Sequence, residues 1–187
     1  KMWDSAAVHL TTALNNATNL QEKARWEYLA AQLYELSGNY KESEKYFGKV
    51  STHTTDPILD IYARLSALRV NRDGGEQTIE KNVAKLIRMA KQDKYEDYRD
   101  IIYYMAAQMQ LQGNNIDEAI ALLLKSTKYS NNGEEQRNKA FLQLADLSLA
   151  KKNYRQAYNF YDSLKLDDPS LKNVDEIKAK KTSLGLI

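Results

Sequence analysis

The sequence predicts an all-α fold, a superhelix of stacked antiparallel helical hairpins. Three observations carry this. Apolar residues recur at three- and four-residue spacing along almost the whole chain, the period of a helix with one buried face. Pro and Gly are scarce, 2 and 7 of 187 residues, so helices run long and breaks are few. A helix–turn–helix pattern in residues 24–57, with a Gly38-Asn39 turn, comes back in the stretches ending IDEAIALLLKS and YRQAYNFYDSL.

Composition narrows the function classes. Hydrophobic residues make up 43% and charged residues 28%, enough for a core and a solvated surface. The net charge is +2, from 27 basic and 25 acidic residues spread along the chain, which argues against a nucleic-acid binder built on a basic stripe. No apolar run approaches the roughly 20 residues of a membrane span. Cysteine is absent, which excludes disulfides and thiolate metal sites. Tyr is abundant, 13 against 3 Phe, and gives large apolar contact with one wet end. The chain opens at Lys1 rather than at Met, so further sequence upstream is expected.

Taken in order, residues 3–14 read as a helix with Trp3, Ala6, Ala7, Leu10, Ala13 and Leu14 on one stripe. Residues 1–20 are expected to be the second helix of a preceding repeat. Residues 22–56 form the first hairpin. Trp26, Leu29, Ala30 and Leu33 share a face of its first helix, and Tyr40, Ser43, Phe47 and Val50 return against it. Asp56-Pro57 opens the next helix, with Asp56 as N-cap and Pro57 in the first turn. Residues 57–92 form a less regular hairpin that turns at Asp73-Gly74-Gly75. Residues 95–130 form the third, with Ile102, Met105, Ala106 and Met109 on its first helix, Gly113 at its turn, and Ile116, Ala119, Leu123 and Ser126 on its second. After the Ser130-Asn131-Asn132-Gly133 break, residues 134–168 form the fourth, marked by Phe141, Leu144, Ala145 and Ser148 and then by Tyr154, Ala157, Tyr161 and Leu164. Residues 172–187 begin a further helix.

The period near 34 residues, with W-x2-L-G-x2-Y, then A-x3-F, then P, is the tetratricopeptide-repeat pattern. Trp26-x2-Leu29-Ala30 fits its opening with Ala for Gly, and Tyr154-x2-Ala157-x3-Tyr161-x7-Pro169 fits its close with Tyr for Phe. In this reading hairpins one and three each carry one extra residue between the two helices' landmarks. The whole chain reads as a single tetratricopeptide-like solenoid, in which each hairpin covers the open apolar face of its neighbour.

Nothing in the sequence spells a catalytic or metal centre. His9 and His53 lack partners at ligand spacing and read as solvated or packed side chains. The acidic pairs Asp97/Asp100, Asp117/Glu118 and Asp167/Asp168 read as helix-start residues that favour the positive end of the helix dipole. Met105/Met109 and Tyr103-Tyr104 have the spacing of core residues. No cofactor, metal or catalytic group is expected. The candidate partner-binding positions lie on the first helices, which line the concave groove in such repeats. They are Glu27, Tyr34 and Glu35, then Asp100, Tyr103 and Gln110, then Lys139, Leu142 and Asp146. The mixture of charge, amide and aromatic groups is that of a protein-recognition surface.

The stretches RWEYLAAQLYELSGNYKESEKYF, YEDYRDIIYYMAAQMQLQGNNIDEAIALL and RNKAFLQLADLSLAKKNYRQAYNFYDS resemble the PorW/SprE-type tetratricopeptide lipoproteins of Bacteroidetes, most distinctively in Tyr98–Tyr104. The resemblance covers residues 24–184. It implies a scaffold serving type IX secretion and gliding motility, held by a lipidated cysteine on the outer membrane and facing the periplasm, with secretion-machinery proteins as partners. No cysteine lies in this chain, so such an anchor is expected upstream. Two other readings stand beside it. One is a tetratricopeptide adaptor of another process, against which the partly acidic groove candidates count. The other is an enzyme, which needs a cleft of convergent titratable groups.

Overall fold

A computed structural model describes residues 2–71, 75–129 and 133–186. The described residues form ten α-helices and no strand: α1 Met2–Ala13, α2 Leu20–Leu36, α3 Tyr40–His53, α4 Pro57–Val70, α5 Gly75–Ala90, α6 Arg99–Gln112, α7 Ile116–Lys128, α8 Glu134–Ala150, α9 Tyr154–Asp162 and α10 Val174–Leu184. Short 3-10 turns, Leu14–Asn16 and Asp93–Tyr98, follow α1 and precede α6. The Asp73-Gly74 part of the second turn and residues 130–132 of the later break lie outside the described residues. The chain divides into two compact units, Lys1–Thr78 and Ile79–Ile187.

In the first unit α1, α2, α3 and α4 pack each on the next. Ala7 and Leu14 are buried against α2 and α3, while Trp3 stays half exposed. The centre is Ala31, Tyr34, Tyr46 and Phe47, with Tyr34 stacked on Tyr46 at 5.6 Å and Tyr28 edge-on to Phe47 at 5.2 Å. Asp56 caps α4 as the sequence predicts: its Oδ1 accepts from the N–H of Ile58 and Leu59, and Pro57 opens the helix. In the second unit α6, α7, α8, α9 and α10 again pack in succession, and α6 also touches α8. Tyr103 stacks on Tyr129 at 5.6 Å, and Ala145, Ala157, Tyr161 and Ile177 form the core of the last three helices.

Three hairpins turn in the same way. A single left-handed residue ends the first helix: Gly38 at φ 82, Asn114 at φ 59 and Lys152 at φ 59. The N–H of the asparagine after it reaches back five residues at 2.9 Å, from Asn39 to Tyr34, Asn115 to Gln110 and Asn153 to Ser148, which satisfies a carbonyl left over at the helix end. The left-handed residue of the third hairpin is therefore Asn114 and not Gly113, whose φ is −83.

These turns correct the register read from the sequence. Seven residues before each left-handed residue stands a fully buried alanine: Ala31, Ala107 and Ala145. Five residues after it stands a fully buried small residue: Ser43, Ala119 and Ala157. The small residues let the two helices approach, and Ser43 Oγ closes the approach by donating to the Ala31 carbonyl at 2.8 Å. Hairpin four has this register in its sequence. In hairpins one and three the first helix runs one residue later than the reading from Trp26 and Ile102, and the extra residue assigned to them disappears. Leu29, expected inside, is accordingly 47% exposed. Ala30, Ala106 and Ala145 are all buried as expected, the first two beside the facing alanines rather than as the facing alanines themselves.

Side chains one repeat apart are tied together within each unit. Arg69 grips Glu35, 34 residues earlier, through two N–H···O contacts of 2.7 and 2.9 Å. Gln21 Oε1 accepts from the Thr55 N–H, 34 residues on, at 3.2 Å. In the second unit Gln108 donates to Gln143, 35 residues on, at 2.5 Å, and Lys151 pairs with Asp117, 34 residues back. Arg69 and Glu35 stand at like positions near the ends of α4 and α2, and the other three bonds tie successive hairpins at their helix ends and faces.

Candidate interaction groove

Lys139, Leu142 and Asp146 lie on one face of α8, spaced three and four residues apart as a helix face requires. The structure brings these three together. With Gln143 and Leu147 of α8 and Tyr104 of α6 they line a depression of about 390 Å³. The Gln108–Gln143 hydrogen bond ties the two helices beneath it. Each lining group is positioned by its own contacts. Lys139 Nζ bonds Glu135 Oε1 at 2.5 Å, one helical turn back. Asp146 Oδ1 accepts from the Tyr161 hydroxyl at 2.5 Å and lies 3.8 Å from Lys180 Nζ. Burial, and after it this hydrogen bond, hold the Tyr161 phenol well above its ordinary pKa, so it remains a donor. Burial also raises the Tyr104 phenol, against a smaller opposing pull from Lys139.

The groove thus offers a cation at one end, a carboxylate at the other, and an amide, a phenol and two leucines between them. Such a set can hold an extended peptide by its backbone and side chains. It places no nucleophile against a base. Among the described residues no group of three or more His, Cys, Asp or Glu converges as a metal site would require.

The other six candidates sit elsewhere. Glu27 is 1% exposed, and its Oε2 accepts from His53 Nδ1 at 2.7 Å. Tyr34 is buried on Tyr46, and Tyr103 is buried on Tyr129. Asp100 is buried at the start of α6, where Oδ1 accepts from the Ile101 N–H and its carbonyl accepts from Ser126 Oγ. Gln110 is buried and accepts from Asn115 Nδ2. Glu35 is partly exposed and held by Arg69. The one-residue register shift explains these placements, since it turns the expected groove positions of α2 and α6 into the core. It also identifies what was missed. Tyr104 stands ten residues before Asn114 as Leu142 stands ten before Lys152, so aligning the hairpins on their turns finds it.

Of the two histidines read as solvated or packed, His9 is exposed and His53 packs against the buried Glu27 carboxylate. Asp117 and Glu118 do lie in the first turn of α7, but Asp167 and Asp168 belong to the α9–α10 connection, where Asp168 accepts from the Ser170 N–H. No described helix is long and apolar enough to cross a membrane. No protein-family model matches the chain, and no curated protein matches its sequence significantly.

Proposed function

We propose that this chain is a non-enzymatic protein–protein interaction scaffold of tetratricopeptide type, and that it serves type IX secretion and gliding motility in the bacterial envelope. The observation that carries the scaffold reading is the α6–α8 groove. Tyr104 comes from one hairpin and Lys139, Leu142 and Asp146 from the next, and together they present both charges, an amide and apolar surface to one ligand. The assignment to secretion, the outer-membrane lipoprotein location facing the periplasm, and secretion-machinery partners rest on the PorW/SprE-type resemblance of residues 24–184.

The test is a pull-down from the native envelope with wild type, Leu142→Arg, Tyr104→Ala and Lys45→Ala, read beside secretion of a type IX cargo. Leu142→Arg and Tyr104→Ala are expected to lose the partner, by more than about 1 kcal/mol where the aromatic is a hot spot. Lys45→Ala, an exposed change on α3 that removes an ion pair with Glu42, retains it. Unchanged capture by both groove variants overturns the groove reading. Normal cargo secretion in a strain lacking the protein overturns the secretion assignment. Tyr103→Ala is not a clean probe, because Tyr103 is part of the core.

A further inference from the structure

The first unit holds a second recess, of about 400 Å³, between the end of α1, the start of α2 and the last turns of α3. Its floor includes Glu27, and its walls carry Lys23, Lys49 and His53. Among the described residues Lys23 and Lys49 pair with no carboxylate; Lys49 Nζ rests 4.6 Å from the centre of the Tyr46 ring. Glu27, one of the least exposed charged groups in the chain, spends one oxygen on His53 Nδ1 and makes no other side-chain hydrogen bond among the described residues. A carboxylate has about four acceptor sites, so acceptor capacity remains at the floor of a cationic recess.

Charge and hydrogen bonding together select the ligand. Glu27 is already paired with His53, so the two ammonium groups of Lys23 and Lys49 are left facing the recess and suit an anion. The unused acceptor capacity of Glu27 calls for a hydrogen-bond donor, which acetate lacks and a peptide N–H supplies. We propose that this recess takes an acidic residue of an extended peptide: its side-chain carboxylate lies between Lys23 and Lys49, and a backbone N–H donates to Glu27. The inference rests on the scaffold reading and adds the chemistry of one anchoring residue, at a place distinct from the α6–α8 groove.

The test is an NMR titration of the 187-residue protein with four probes: N-acetyl-Gly-Glu-Gly-amide, its Gln counterpart, acetate and inorganic phosphate. The Glu peptide is expected to shift resonances of Lys23, Lys49 and His53 saturably, with the Gln peptide at least about tenfold weaker. Lys23→Gln and Lys49→Gln should each weaken the Glu peptide about fivefold, the scale of a partly shielded ion pair, and added salt should weaken it further. Equal affinity for the Gln peptide overturns the proposal. So does acetate or phosphate binding there as tightly as the Glu peptide, or shifts confined to other surfaces. Leu142→Arg leaves this titration unchanged, so failure here with partner capture intact, or the reverse, separates this proposal from the groove reading.

Discussion

Hairpins α2–α3 and α8–α9 share a turn and a facing pair of small residues, yet they differ at one equivalent position. Eleven residues before the left-handed residue, α8 carries Phe141, packed on Phe160 at 6.3 Å, and α6 carries the stacked Tyr103. At the same place α2 carries Glu27, fully buried and answered by His53 from the end of α3. The hairpin geometry is therefore set by the turn and by the small–small approach. The neighbouring position accepts an aromatic ring or a charge, provided the charge finds a partner in the facing helix. One plan yields an apolar joint in one hairpin and a polar recess in the other.

The largest effect comes from breaking what the two hairpins share. Ala31→Leu, Ala107→Leu and Ala145→Leu should each overpack the crossing and cost about 1–3 kcal/mol in denaturant unfolding. A variant that melts like the parent contradicts the common register.

Breaking what they do not share should cost slightly less. His53→Ala leaves the Glu27 carboxylate buried without its partner, a loss of about 2 kcal/mol. Converting the pair to the apolar type of α8, with Glu27→Phe and His53→Leu together, should recover most of that loss, because a well-packed apolar pair needs no desolvation of charge. Thermal melts of the two variants make the comparison.

The turns themselves differ in residue type in the same left-handed backbone region. A Cβ on Gly38 meets nothing within 4 Å, so Gly38→Ala should lose about 1 kcal/mol through its left-handed backbone alone. Lys152→Gly should gain about 0.5–1 kcal/mol, since Lys already bears that strain. Opposite signs at equivalent positions, read by chemical denaturation, are the expected result.

An effect of similar size concerns the tyrosine that holds Asp146. Tyr161→Phe keeps the buried ring and loses the hydrogen bond, about 0.5–1.5 kcal/mol at neutral pH. The folded-state pKa of Tyr161 lies above its ordinary value near 10, so its contribution is complete below pH 10 and is lost as pH rises beyond it. The stability gap between wild type and Tyr161→Phe should accordingly narrow above pH 10. A gap that is constant to pH 11.5 contradicts the buried, hydrogen-bonded phenol.

The sequence by itself determined the all-α class, the turn of hairpin four and the capping of α4. Helix period, scarce Gly and Pro, and Asp-Pro chemistry act locally, and a local cause is visible in a local string. It also placed Lys139, Leu142 and Asp146 on one face, because hairpin four carries its register openly in Ala145, Lys152 and Ala157. Tertiary structure decided the register of hairpins one and three. Ala30-Ala31 and Ala106-Ala107 are adjacent pairs of equal helix propensity, and neither sequence period nor composition distinguishes which of two neighbouring alanines meets the facing helix. Only the partner surface does: Ser43 reaching the Ala31 carbonyl, and the turn closing at Asn114 rather than Gly113. That single residue of rotation, about 100° around the helix axis, sends Glu27, Tyr34, Tyr103 and Gln110 into the core. It brings Tyr104 to the groove and makes a partner of His53, 26 residues from Glu27, which no local pattern could have joined to it.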